Sequence, residues 1–276
     1  MSIALILLTS AVMAQQTTQL IKRTTSKVDK LDFGPGGTVA IAGAPNGTIR
    51  VVGGSGNEVS ISAEIEMQAA TEADLARLAL VTTYILEEST GRIGIVTSGT
   101  HNKLGDKKLW KKFPKNLMGL PFRIDYTVTV PRYCDLQIDG GKGDVTVSGV
   151  EGAIRVNAIE SNTRLDLIGG SVTGVIGTGN VDITMPDRSW RGSTIDVQLT
   201  KGVLAVRLPS NLSADLDATI LRTGTIENAF KTFKPRVRTA TFTDHSIVAK
   251  AGSGGVAMRF TVGDGTLKLL QIGKPE

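Results

Sequence analysis

From Tyr126 onward, apolar and polar positions alternate in short triplets. They are Leu136-Gln-Ile138, Val145-Thr-Val147, Ile154-Arg-Val156, Leu165-Asp-Leu167, Val181-Asp-Ile183 and Ile195-Asp-Val197, then Val203 to Val206 and finally Leu267-Lys-Leu269. A period of two puts both apolar residues of a triplet on one face and the middle residue on the other, which predicts a half-buried strand. Glycine-led turns precede many of them: Gly143-Asp144, Gly152-Ala153, Gly179-Asn180, Gly202, Gly224 and Gly265. Glycine there permits the positive φ of a tight corner. The first half carries the same pattern, with Val39-Ala-Ile41, Ile49-Arg-Val51 and Val59-Ser-Ile61 at ten-residue spacing. One helix is predicted near 71–82. Thr71-Glu-Ala-Asp74 resembles a capping box, and Leu75, Leu78 and Val81 share a face. Gly91 to Val96 reads as a further strand.

Strands this short cannot bury a face alone, so they must stack. Val145, Leu165, Val181, Val203 and Ile226 fall at coil distance, and Ile154, Val172 to Val175, Ile195 and Leu216 fall between them. The expected fold is all-β: a single-stranded right-handed β-solenoid or β-roll with short glycine-punctuated rungs and one packed helix near 71–82. An antiparallel sandwich with turns every 8–12 residues competes with it.

Charge changes the picture at one place. The chain of 276 residues has 31 Lys+Arg and 26 Asp+Glu, a net +5. Residues 101–115 hold six lysines (Lys103, Lys107, Lys108, Lys111, Lys112, Lys115) and one acid, Asp106, which leaves 25 of each sign elsewhere. The excess is local, which argues against a uniformly basic nucleic-acid coat. Apolar content of 41% argues against wholesale disorder.

The N-terminus carries an unbroken apolar run at residues 3–8, and Val12-x-Ala14 supplies small residues for signal cleavage after Ala14, although no Lys or Arg precedes the run. Export is therefore expected, to periplasm, outer membrane or medium. A buried N-terminal strand or helix is the other reading. Cys134 is the one cysteine, so no intrachain disulfide forms, and it reads as a buried structural thiol. The expected organisation is a signal peptide at 1–14, a flexible segment at 15–30, one β domain at 31–272 with a basic amphipathic insertion at 101–122, and a tail at 273–276.

The stretch Tyr126-Thr-Val-Thr-Val-Pro131, then Leu136 to Val147 with its Asp-Gly-Gly-Lys-Gly-Asp core, then Gly149 to Val156, resembles bacterial β-strand-repeat proteins provisionally classed as adhesins, a domain of unknown function. Gly252-Ser-Gly-Gly255 and Gly265 to Leu269 resemble that family's closing segment. The resemblance implies a secreted or envelope-associated β-solenoid and no catalytic residues.

Two constellations are candidates for chemistry. Asp106 to Pro114 predicts a short helix with Asp106 as N-cap and Pro114 as stop. Lys107, Lys108, Trp110, Lys111, Lys112 and Phe113 then form an amphipathic element suited to an anionic surface. The alternative is a lid, with the aromatics plugging an exposed end of the solenoid and the lysines forming its solvated outer face. The second constellation is an outward ladder of Thr146, Asp166 and Asp182, able to bind a cation or polarise a sugar hydroxyl if those rungs stack. A solvated face is the plainer reading. His101 and His245 are the only histidines and lack metal-ligand spacing, and no nucleophile elbow or phosphate-binding loop occurs.

The expected function is an exported, non-enzymatic, adhesin-like envelope protein or surface-binding scaffold with no cofactor and no nucleic-acid partner. The alternatives are a polysaccharide-active enzyme using Asp166 and Asp182, and a peripheral binder of anionic membrane or glycan through 103–115.

Overall fold

The computed structural model describes residues 20–186, 191–237 and 241–272. The expected signal segment at 1–14 and tail at 273–276 lie outside the described residues. The chain opens with β1 (Ile21–Asp32), β2 (Thr38–Ala42), β3 (Ile49–Gly54) and β4 (Glu58–Ala69). Helix α1 (Glu72–Ala79) leads into the hairpin β5 (Thr83–Ser89) and β6 (Arg92–Ser98). Helix α2 (Lys107–Lys112) and a 3-10 turn (Lys115–Leu117) come before β7 (Phe122–Pro131) and β8 (Asp135–Lys142). The strands β9 (Val145–Ser148), β10 (Glu151–Glu160), β11 (Thr163–Asp166), β12 (Gly169–Thr184) and β13 (Gly192–Leu208) follow. The chain closes with β14 (Ala214–Asn228), β15 (Lys234–Pro235), β16 (Ser246–Ala251) and β17 (Val256–Gln271).

Alternation builds the core as the triplets require. Leu136 with Ile138, Ile154 with Val156, Ile195 with Val197, and Leu267 with Leu269 are buried, while Arg155 between one such pair is exposed. One row of ladders runs β5–β6–β2–β8–β10–β12–β13–β17–β14–β16–β15. A second runs β1–β4–β7–β3–β9–β11 and merges with the C-terminal halves of β12, β13, β17 and β14. The apolar side chains of both rows meet in one core.

These ladders form a curled, mixed half-barrel sheet and not the expected single-stranded right-handed β-solenoid. Three facts overturn that expectation. Pairing is antiparallel in β1–β4–β7, β5–β6 and β14–β16–β15. The later rungs are not short, because β12, β13 and β17 run 16, 17 and 16 residues without a break. Chain order also fails as ladder order, since β17 lies between β13 and β14. The physical reason lies in the long alternating stretches. Val59, Ile61, Ala63, Ile65 and Met67 bury five successive inward positions of β4, and such a strand gains more from long antiparallel partners than from a short rung.

Of the six glycines expected at tight corners, five take positive φ, four of them within continuous strands, and Gly152 does not. Gly143, Gly179, Gly202, Gly265 and Gly224 have φ between 131° and 140°. A Cβ on Gly202 would lie 1.8 Å from the Gly179 carbonyl oxygen, so the backbones stack where only hydrogen fits.

Residues 21–32, expected within or beside a flexible segment, form β1 and pair with β4 over their full length. Lys22 and Lys30 point outward and pair with Glu66 and Glu58, while Lys27 is half-buried on the other face, so the strand has no apolar alternation to read. Edge lysines of this kind also discourage pairing with another chain.

Candidate functional site

The insertion between β6 and β7 divides into an anchored part and an exposed part. Asn102 anchors its start, with its amide Nδ2 donating to the Thr97 carbonyl oxygen at 2.6 Å and its Oδ1 accepting from the Gly99 N–H at 3.2 Å. Ser98 Oγ donates to the Leu104 carbonyl oxygen at 2.8 Å. The return segment buries Leu117 and Phe122 and packs Leu120 and Phe113 against the core.

Helix α2 projects from this anchor and is tied to it through the Leu104 carbonyl oxygen. Asp106 Oδ1 accepts from the Lys108 N–H at 2.7 Å, and Phe113, ahead of Pro114, ends the helix. No residue of α2 is buried. Trp110 is half-buried: its indole Nε1–H donates to the Leu104 carbonyl oxygen at 2.5 Å, and its ring lies 5.2 Å from that of Phe113. Lys107, Lys108, Lys111 and Lys112 are exposed. Among the described residues, no carboxylate comes within ion-pair distance of these four or of Lys103 and Lys115, while many outward charges of the sheet are paired. Lysines and aromatics thus share one element, as the sequence implied. Sequence reasoning missed Leu80, 64% exposed just beyond α1, which faces the same cleft as Leu109 of α2. The signal was available, because Leu80 is an apolar residue outside the face shared by Leu75, Leu78 and Val81.

The outward ladder of Thr146, Asp166 and Asp182 does not assemble. Thr146 pairs in register with Arg164, and Arg164 with Asp182, so a guanidinium occupies the middle rung. Asp166 lies between Ser148 and Thr184. Each acid also has an arginine: Arg164 Nε lies 3.1 Å from Asp166, and Arg207 Nη1 lies 2.6 Å from Asp182. This arrangement offers the polysaccharide-enzyme reading no stacked carboxylate pair. The Cys134 thiol is buried, and burial with the nearby Asp135 charge pushes its pKa up to about 12, so it stays protonated at neutral pH. Among the described residues, no cluster of His, Cys, Asp or Glu could hold a metal ion, and no helix is long and apolar enough to cross a membrane.

No family model matches the chain, and no curated protein matches it. Solved structures resemble it distantly. A "putative cell adhesion protein" from Clostridium sporogenes shares 10% identity over 90% of this chain and 100% of its own, with a TM-score of 0.47. A "putative adhesin" from Bacteroides fragilis shares 7% over 90% of this chain and 97% of its own, at 0.34. A "putative lipid binding protein" from Parabacteroides distasonis shares 9% over 90% of this chain and 95% of its own, at 0.34. None is similar enough to lend its ligand to this chain.

Proposed function

We propose that this chain is an exported, non-enzymatic envelope protein, an adhesin-like scaffold that meets an anionic membrane surface through α2. One observation carries the reading: a cluster of six lysines with no carboxylate partner among the described residues, centred on a helix that buries none of its own side chains. Unpaired positive charge beside exposed Leu104 and Leu109 is the composition of an interfacial element. The apolar N-terminal run with Val12-x-Ala14 supports export.

Each lysine at an anionic surface contributes about 1 kcal/mol, less at physiological salt. The four lysines of α2 therefore supply roughly 4 kcal/mol, a dissociation constant of order 1 mM. Charge alone gives loose, reversible contact, and the apolar residues must supply the rest. Vesicle flotation tests the reading. The protein floats with anionic vesicles and not with zwitterionic ones. Binding to an anionic polysaccharide without binding to vesicles would move the function to glycan recognition. Fractionation of the native host tests export, and a wholly cytosolic pool would contradict it.

A further inference from the structure

A cleft of about 290 Å³ lies between the C-terminal end of α1 and helix α2. Its walls are mostly apolar, from Leu80, Leu109, Phe113 and Pro114, and Arg77 and Lys112 stand in its lining. Leu80 is 64% exposed and Leu109 41% exposed, although both face a space that a water-excluding guest would fill. Arg77 is held by Asp74 at 3.2 Å, while Lys112 has no carboxylate partner among the described residues. An apolar cleft with cationic groups at its margin matches a guest with an apolar body and an anionic end.

We propose that this cleft seats part of one acyl chain of an anionic phospholipid, with Lys112 and Arg77 facing its headgroup. This rests on the anionic-membrane reading of α2 and adds its apolar half. The cleft walls are carried by two helices anchored independently. Leu75 and Leu78 of α1 are buried in the core, and the start of α2 is tied down through Leu104. The cleft is therefore preformed, and its guest need not order it on entry.

The test uses the full chain with Trp190→Phe, which leaves Trp110 as the sole indole reporter beside the cleft. Anionic vesicles carrying brominated acyl chains should quench Trp110, and dextran sulfate, which has no acyl chain, should not. Leu80→Gln with Leu109→Gln alters two exposed positions, so folding is preserved. It should weaken vesicle binding at least about tenfold while leaving dextran sulfate binding unchanged. Vesicle binding and quenching unaltered by the double substitution would overturn the acyl-chain assignment and leave the charge reading standing. Failure of the unsubstituted protein to bind either probe would overturn both.

Discussion

The Tyr84 hydroxyl donates to Asp29 Oδ2 at 2.6 Å, across a gap between β1 and β5, two edge strands that share no backbone ladder. Lys27 Nζ reinforces the link by donating to the Tyr84 carbonyl oxygen at 3.0 Å. Burial, and then the hydrogen bond and negative charge of Asp29, push the Tyr84 pKa well above the ordinary tyrosine range, so the phenol stays protonated and keeps donating. Side chains thus close one end of the curl where main-chain pairing stops.

Replacing Tyr84 by Phe removes that donor from a carboxylate without opening a cavity. The expected cost is about 2 kcal/mol, within the range for hydrogen bonds to charged groups. Amide exchange should accelerate along β1 more than along β12 or β13. Uniform acceleration across the sheet would show that the link does not act locally.

Gly202→Ala should cost roughly 3 kcal/mol or more, because φ is 139° and the new Cβ meets a backbone oxygen at 1.8 Å. Gly36→Ala is the control. Its φ is 82° but its Cβ would enter open space, so only the backbone penalty of about 1–2 kcal/mol applies. Urea denaturation midpoints compare the two. Equal losses would mean that stacking at the corner is not tight.

Asp264 accepts from the Arg222 guanidinium at 2.6 Å and from the Thr223 hydroxyl at 2.8 Å, and these bonds lower its pKa to about 2. An unfolded aspartate titrates near about 3.9. The ionised native form is thus favoured, and the stability it adds is present above about pH 4 and disappears as pH falls toward about 2. The group is exposed, so the effect is small and screened by salt. The stability difference between the protein and Asp264→Asn should be flat above about pH 5 and should shrink between about pH 4 and 2. A difference that grows on acidification would reverse the assigned sign.

Local features were legible in the sequence because each has a short-range cause. Thr71 caps α1, with its Oγ1 accepting from the Asp74 N–H at 3.1 Å, and Asp106 caps α2. Long-range order was not legible, and Thr163 shows why. Reading apolar positions alone aligns Val145 with Leu165, yet the register pairs Val145 with Thr163 and then Val181. Thr163 is a buried polar residue in an apolar column, with its hydroxyl 3.0 Å from that of Ser161. An apolar template therefore slides by two residues, which keeps the correct face and misplaces Asp166 along the strand. The same limit hid β1, whose place depends on partners in β4 and not on its own alternation. In the insertion, the lysine cluster and its caps were local and visible. Leu80 stood outside the apolar face of α1 in the sequence, but its place beside α2 was not legible, because that depends on how two helices pack.

The most direct measurement titrates the protein against vesicles of rising anionic lipid content at fixed salt, beside a variant with Lys107, Lys108, Lys111 and Lys112 all changed to Glu. All four positions are exposed, so the fold should survive, and circular dichroism checks that it does. The account predicts that affinity rises with anionic fraction, falls with added salt, and is abolished in the variant. Equal binding by the protein and the variant would contradict it.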